Sequence, residues 1–304
     1  GSNSFIPVQN RQPITAATIS SVVFILSFFF FFNGVHAVNG GSASLSNQGD
    51  DFSVAATGTG TANGVLADGT GTSVTLKNTN LKNLSSVDGD VTGLNASNSA
   101  QIGVSFTADD TTTKEINVHA TGTGSATAIN AVTGADVVAT GLEGITATAD
   151  GTGTATGIYT NGTGSTVTVN TATDTDMGAL SAKSAGSAAK GIIAAAGGVN
   201  KVYGLTTIDV TGKTEATGIA AYDADSANTV TMNSTLKATA ANGPATGIIA
   251  TNTAINTVTG VTDVEANVTT AGDARGIVAA GAVNNVNAEQ TETFTGHVAA
   301  TTAS

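Results

Sequence analysis

A repeat with a period of 28 residues organises most of this chain. Four asparagines recur at this interval, and a valine follows each of them two positions later. The pairs are Asn200 and Val202, Asn228 and Val230, Asn256 and Val258, and Asn284 and Val286. Self-similarity at a fixed period is typical of solenoids, in which each repeat packs only against its neighbours. The sequence therefore predicts one elongated repeat domain instead of two globular domains.

A second motif, Ala-x-Gly-Ile, runs in step with the first. Its glycines are separated by 34, 27, 29 and 29 residues, and they are Gly157, Gly191, Gly218, Gly247 and Gly276. Weaker copies precede them at Gly64-Val65, Gly93-Leu94 and Ala128-Ile129, with insertions near residues 99–115 and 172–186. We interpret the motif as a corner of the coil, where glycine adopts backbone conformations that other residues resist.

Each repeat contains three short strand-like segments, and the third alternates apolar and polar residues. Two apolar columns are predicted to face inward from that segment: Ile208, Leu236 and Val264, and Val210, Ala238, Ala266 and Phe294. Glu292 interrupts the first column. The predicted fold is all-β: a parallel, right-handed β-helix of about eight rungs of 27–35 residues, stacked about 4.8 Å apart, with amide ladders along the asparagines.

The N-terminus differs from the repeat. Residues 19–32 are almost wholly apolar, and Val35 and Ala37 follow them, as in a secretory signal peptide that is cleaved after Ala37. An uncleaved anchor and a buried helix are the alternatives, although this run is shorter than the about 20 residues that span a membrane. We predict a hydrophobic helix within residues 1–37, a cap or linker at residues 38–55, and the solenoid at residues 56–304.

Acidic side chains supply the first candidates for chemistry. Three Asp-x-Asp pairs occur, together with the doublet Asp109-Asp110; the pairs are Asp88 and Asp90, Asp174 and Asp176, and Asp223 and Asp225. Such pairs can bind calcium or cleave polysaccharides, but calcium takes about six to eight oxygen ligands. These pairs fall at different phases of the repeat, which indicates solvated turn residues.

The remaining candidates are basic residues, histidines and glycine-rich segments. Lys190 and Arg275 each precede a repeat glycine, but Thr217 and Thr246 hold that position in the repeats between them. The histidines are far apart in sequence and are interpreted as surface residues: His36, His119 and His297. The segments 58–60 and 151–153 lack the Lys-Ser/Thr of a phosphate loop and are interpreted as turns. The sequence therefore predicts no catalytic residue, cofactor site or metal site.

Threonine pairs beside the valine column raise another possibility. Thr-Val-Thr occurs three times at what we interpret as one phase of the repeat: residues 166–168, 229–231 and 257–259. Regular threonine ladders on a flat face can order water and bind ice. The ladder is interrupted by Lys201-Val202-Tyr203 and by Asn285-Val286-Asn287, and threonine is in any case favoured in strands. Ice binding is therefore the less favoured alternative.

The Ala-x-Gly-Ile repeats, the signal-like N-terminus, the acidity and the absence of Cys resemble passenger domains of Gram-negative autotransporters (type V secretion). The resemblance covers residues 38–304. It implies export through the inner membrane, followed by display at the outer membrane or release, and adhesion, aggregation or an enzymatic activity on a pectin-lyase-like β-helix. It also implies a translocator domain beyond Ser304, so that residues 56–304 are interpreted as a truncated passenger; the alternative is a different secreted β-solenoid.

We therefore predict a secreted or surface-displayed adhesin, or structural surface protein, that works without catalysis. Its expected partners are a host or neighbouring-cell surface, a glycan, or a second copy of itself. A net charge of −12 without a basic stripe disfavours nucleic acid. Membrane contact is expected only through the N-terminal segment or the missing translocator. The alternative function is a carbohydrate-active lyase or hydrolase.

Overall fold

The computed structural model describes residues 32–46, 52–56, 59–107, 114–173, 177–287 and, for the backbone, 295–300. Within these residues the secondary structure consists of 26 β-strands without a helix. All the strand pairs are parallel, and each strand pairs with its equivalents in the preceding and following coils. The described part of the chain is an all-β parallel solenoid, as the sequence predicts.

Three faces make up each coil, and we number them in chain order. Face 1 contains β1 (Phe32–Val38), β4 (Ala62–Asp68), β7 (Val91–Ser97), β10 (Ala126–Val132), β13 (Ala155–Asn161), β16 (Ala188–Ala195), β18 (Glu215–Tyr222), β21 (Ala245–Thr251) and β24 (Ala274–Ala280). Face 2 contains β2 (Ser42–Ser46), β5 (Ser73–Lys77), β8 (Gln101–Ser105), β11 (Asp136–Thr140), β14 (Thr166–Val169), β19 (Ala227–Met232) and β22 (Ile255–Thr259), followed by β25 (Val283–Asn287).

Face 3 contains β3 (Ala55–Ala56), β6 (Leu81–Ser86), β9 (Glu115–Ala120), β12 (Gly144–Ala149), β15 (Met177–Ser184), β20 (Thr235–Asn242), β23 (Asp263–Ala271) and β26 (Thr295–Ala300). The long strand β17 (Val199–Gly212) belongs to faces 2 and 3: its first part pairs on face 2 and its second part on face 3. The connections between faces differ in length. Those at the face 1–2 corner are short, whereas the face 2–3 corner carries the segments 106–114 and 170–176.

The first coil begins at β1, earlier than the predicted start of the solenoid at residue 56. Strand β1 pairs with β4, so that Asn33 and Val35 are the partners of Asn63 and Val65. The segment Asn33-Gly34-Val35 is therefore another copy of the repeat motif, and the predicted cleavage position after Ala37 falls inside β1. Cleavage there stays a prediction, and residues 1–31, which contain nearly all of the predicted helix, lie outside the described residues. Within the predicted cap or linker, β2 pairs with β5 like any other coil.

The interior columns confirm most of the predicted register. Ile208 is paired with Leu236, which is paired with Val264, and all three are buried, as are Val210, Ala238 and Ala266. The residues predicted for the last position of each column are wrong. Gly296 and Val298 are the partners of Val264 and Ala266, whereas Glu292 and Phe294 fall in a segment outside the described residues. Counting 28 residues failed because the last connection at the face 2–3 corner is longer than in the preceding coil.

The predicted asparagine ladder is present inside the solenoid. Nδ2 of Asn200 donates to Oδ1 of Asn228, whose Nδ2 donates to Oδ1 of Asn256, each over 2.8 Å. The ladder continues to Asn284 over the same distance. Each of these amides also donates to a backbone carbonyl on face 1; for Asn228 the acceptor is the oxygen of Ala220 at 2.7 Å. The four coils that contain these asparagines are thus joined by side-chain amides as well as through the backbone.

The repeat glycines lie in the middle of face 1 strands, so the interpretation as a corner is wrong. Their φ angles are not positive, and what they provide is space. A Cβ added to Gly218 would lie 2.6 Å from Cδ2 of Leu236 and 2.5 Å from the carbonyl oxygen of Gly247. Face 1 therefore approaches the large apolar side chains of face 3 too closely for a side chain at most of these positions. One coil, at β10, accommodates Ala128 there.

The true corners between faces 1 and 2 are tight turns that use left-handed residues. Asp223 and Asp225 have φ angles of 71° and 63°, and Ala196 and Gly197 occupy the same turn one coil earlier with 48° and 84°. Left-handed backbone costs about 1 kcal/mol or more per residue for side chains other than glycine. This Asp-x-Asp pair therefore belongs to turn geometry, as the sequence predicts.

Asp225→Gly is expected to stabilise the protein by about 0.5–1 kcal/mol, because glycine adopts a left-handed φ without steric cost. The matched control is Asp209→Gly within β17, where glycine lacks any such advantage and should destabilise by a similar amount. Equilibrium unfolding in urea measures both changes. Destabilisation by Asp225→Gly would mean that the carboxylate, and not the backbone, matters at this turn.

Tyr222 gives the fold a dependence on alkaline pH. Burial raises the pKa of Tyr222 to about 12, and the negative charge of Glu215 adds to this, whereas a hydrogen bond with Thr217 acts in the opposite direction. The ordinary pKa of tyrosine is about 10, so its contribution to stability is complete below about pH 10 and is lost as the pH rises towards 12. The unfolding free energy should fall by up to about 2–3 kcal/mol over that window.

Tyr222→Phe should lack this component of the alkaline loss, because it has no phenol to ionise. The measurement is urea unfolding of both proteins across the alkaline range. Lysines also titrate there, but they contribute to both proteins equally, so the difference between the two curves isolates Tyr222. Parallel curves would contradict the prediction.

Candidate ligand-binding site

A polar groove crosses three neighbouring strands of face 3, namely β6, β9 and β12. We call it the face 3 groove; it is open to solvent and has a volume of about 500 Å³. Its lining residues are Asn83, Leu84, Ser85, Asn117, His119, Thr146, Thr148 and Asp150. The polar ones point outward because they alternate along each strand with buried residues such as Val118 and Ala147. Parallel stacking thus brings together side chains that are about 30 residues apart in sequence.

Register and one irregularity position the groove. His119 is the partner of Ser85 on one side and of Thr148 on the other, so these three form a column along the solenoid axis. In β6 the register shifts between Leu81 and Leu84, and Asn83 between them has a positive φ of 56°. Such bulges redirect a side chain and occur frequently beside functional sites. Here the bulge lies at the rim of the groove.

His119 and Asp150 form the shortest polar contact in the groove. Nε2 of His119 lies 2.6 Å from Oδ2 of Asp150, and the side chains are 42% and 56% exposed. An ionised carboxylate only accepts hydrogen bonds, so the proton of a neutral imidazole is assigned to Nε2 and Nδ1 is an acceptor. This contact fixes the orientation of the imidazole relative to the carboxylate. The site therefore offers both donors and acceptors on a rigid sheet.

The other acidic pairs lie elsewhere. Asp88 and Asp90 connect β6 to β7 at the face 3–1 corner, where Oδ1 of Asp90 accepts a hydrogen bond of 2.8 Å from the backbone N of Ser125. Asp223 and Asp225 occupy the opposite, face 1–2 corner. Asp109-Asp110 and the pair at 174 and 176 lie outside the described residues. The two described pairs therefore do not converge on one site.

The remaining histidines are distant from the groove. His36 is exposed on β1, and hydrogen bonds from Ser97 and Asn98 lower the pKa of the nearby Asp68, with a smaller contribution from the charge of His36. His297 lies on β26, whose side chains are outside the described residues. Among the described side chains, His119 forms a direct hydrogen bond with an acidic residue, Asp150.

Where the structure describes them, the basic residues and the glycine-rich segments singled out in the sequence do not form a site. Lys190 and Arg275 do share one column of face 1, with Thr217 and Thr246 between them, and Arg275 is paired with Asp273 at 2.9 Å. Gly151 and Gly153 lie at the face 3–1 corner, stacked on Gly122 and Gly124 of the preceding coil. They are turn residues, as predicted, whereas Gly58 lies outside the described residues.

The threonine pairs are not all at one phase. Thr229 and Thr231 are the partners of Thr257 and Thr259, which makes a small array on face 2. Thr168, however, is aligned with Lys201 and hence with Thr229, so the Thr166 pair is offset by two residues. The predicted common phase is therefore wrong for the first pair. Ice binding stays a prediction, which a thermal-hysteresis measurement would check.

No group of three or more His, Cys, Asp or Glu side chains in the described residues could hold a metal ion. In the same part of the chain no helix has the length and apolarity to span a membrane. Comparison with known proteins found no matching family model, no matching curated protein and no matching solved structure. The geometry of the solenoid surface is therefore the basis for any assignment of function.

Sequence reasoning missed the pairing of His119 with Asp150. The two residues are 31 apart. His119 stands between Ser85 and Thr148 in its column, and Asp150 follows the end of β12, so neither appears as a repeated residue type in the sequence. A register derived from the columns Ile116–Ile145 and Val118–Ala147 would have shown that the two ends of these strands are adjacent.

Proposed function

We propose that this solenoid is a secreted or surface-displayed adhesin, or a structural surface protein, that acts through its lateral surface. The observation that carries the proposal is the uninterrupted stack of face 1 strands from β1 to β24, which presents a long ordered surface. At about 4.8 Å per coil this stack is roughly 40 Å long. Solenoids use such extended surfaces for binding, because a ligand can contact several coils at once.

The chemistry of the outward positions favours contact with a hydrated partner. On face 2 hydroxyl side chains hold five of the nine positions in one outward column, which consists of Ser44, Thr75, Gly103, Val138, Thr168, Lys201, Thr229, Thr257 and Asn285. Small hydroxyl side chains keep the surface soluble, and they lose little conformational entropy when a ligand orders them. The resemblance to autotransporter passengers supports export and display, and with it a right-handed, pectin-lyase-like coil.

Attachment of the purified protein to cells tests the proposal. Fluorescently labelled protein should bind saturably to intact host or bacterial cells, and unlabelled protein should compete. A protein that shows neither saturable attachment to cells nor self-association at a cell surface would contradict an adhesive role. N-terminal sequencing of the protein recovered from the cell exterior tests export and the cleavage after Ala37.

A carbohydrate-active enzyme is the second candidate, because the His119–Asp150 pair supplies an acid–base group inside a groove. The discriminating measurement is the release of reducing or unsaturated sugar ends from polysaccharides. Release that is abolished by His119→Thr and Asp150→Ser would favour the enzyme. Attachment without release of sugar ends would favour the adhesin.

A further inference from the structure

We propose that the face 3 groove is a binding site for a neutral, hydroxyl-rich glycan. This inference rests on the proposed adhesive function and names its ligand class. Each sugar hydroxyl both donates and accepts a hydrogen bond, so a glycan needs a surface with donors and acceptors close together. The groove provides this on three adjacent strands, over about 10 Å along the axis.

The individual groups are complementary to hydroxyls. Asn83 and Asn117 carry amides, each with two donor hydrogens and one acceptor oxygen. Thr146 and Thr148 carry hydroxyls. Because Nε2 of His119 is bound to Asp150, Nδ1 is the ring nitrogen left to accept a hydrogen bond from a sugar hydroxyl. Mixed polar groups held in a concave surface are what give small-ligand sites their specificity.

Charge selects against acidic glycans. The chain has a net charge of −12, and the groove itself contains the carboxylate of Asp150. Two lysines of the same face are bound to acidic partners: Lys114 to Glu143 at 3.3 Å and Lys183 to Asp209 at 3.7 Å. A sulfated or uronic acid-rich polymer would meet a negative surface, so a neutral sugar is the favoured ligand.

Rigidity favours this site over the corners. Except for Asp150, its lining residues belong to β6, β9 and β12, and β9 is paired with both of the other strands. Preorganised groups lose less entropy on binding than groups on loops. The bulge at Asn83 is built into the same strand stack and brings a further amide to the rim.

The test uses the full chain on an array of neutral oligosaccharides, with sulfated and uronic acid-containing glycans as the acidic arm. The best neutral ligand is then titrated by calorimetry against wild type, His119→Thr and Asn117→Thr. Threonine is chosen because it occupies the partner positions in the adjoining β12. Both variants should keep the circular-dichroism spectrum of the wild type and should bind the glycan at least about tenfold more weakly, the equivalent of losing one or two hydrogen bonds.

The matched control is Lys237→Thr, an outward residue of face 3 in a coil far from the groove, paired with Glu265 at 3.6 Å. Its glycan affinity should equal that of the wild type. Exclusive binding of acidic glycans, binding of no glycan, or unchanged affinity in both groove variants would each overturn the proposal. If these outcomes occur while the protein still attaches to cells, the site is wrong and the adhesive function stands; loss of attachment itself would instead contradict the proposed function.

Discussion

Gly218→Ala is expected to lower the free energy of unfolding by about 3 kcal/mol, near the upper end of the cost of over-packing a core. The added methyl group would lie 2.6 Å from Leu236 Cδ2 and 2.5 Å from the carbonyl oxygen of Gly247. Neither atom can retreat easily, because the first is packed inside a stacked column and the second is part of the parallel ladder. Urea unfolding followed by circular dichroism measures the loss.

Gly103→Ala is the matched control. Gly103 lies on face 2 between Thr75 and Val138, and no atom lies within 4 Å of the Cβ it would gain. Its stability should be unchanged or higher by about 0.5–1 kcal/mol, because alanine reduces the entropy of the unfolded chain. Combining Gly218→Ala with Leu236→Ala should cost less than the sum of the single changes. Equal effects of the two glycine substitutions would show that the close approach of faces 1 and 3 is unimportant.

Asn228→Ala is expected to cost about 3–5 kcal/mol, because it interrupts the buried amide ladder in the middle. Three partners lose a hydrogen bond: the carbonyl oxygen of Ala220, Oδ1 of Asn256 and one N–H of Asn200. All of this occurs inside the solenoid, where Asn228 is 1% exposed and water cannot replace the amide. The same unfolding experiment measures the effect.

Asn285→Ala provides the comparison, since Asn285 is exposed on face 2 one position after a ladder residue. Substitutions at such surface positions usually change stability by less than about 0.5 kcal/mol. The ladder is not a major source of stability if the two alanine variants unfold at the same urea concentration. A loss in Asn228→Ala with little change in Asn285→Ala would also separate amide hydrogen bonding from simple strand propensity.

The periodic part of this fold was predictable because stacking repeats the same environment in every coil. Ile208, Leu236 and Val264 occupy one interior column, and the sequence shows it as a 28-residue spacing. The same is true of the ladder from Asn200 to Asn284. Residues that meet only their own equivalents in neighbouring coils leave a signal along the chain.

Contacts across the interior leave no such signal. The role of Gly218 depends on Leu236, which is on another face, and nothing in the local sequence distinguishes a crowded strand glycine from a turn glycine. The first coil was not predicted for a different reason: the residues that continue the repeat at positions 33–37 also match a signal-peptide cleavage site. The Thr166 pair was assigned the wrong phase because the Thr-Val-Thr segments were aligned by residue type, whereas strand pairing determines the register.

The groove could be predicted only in part. Its outward polar residues can be predicted from strand alternation. The contact between His119 and Asp150 can be predicted only if the number of residues in each corner is known. The bulge at Asn83 could not be predicted from the sequence either, because a local shift of register produces no change in composition.

The uneven corners have a consequence for how this molecule can be altered. The coil keeps its register when extra residues are placed between face 2 and face 3, as the segments 106–114 and 170–176 show by comparison with the uninterrupted β17. An epitope tag or a small folded module grafted into such a segment should therefore leave the stacking of the coils intact. The face 1–2 turns, which need left-handed residues, offer no equivalent attachment point.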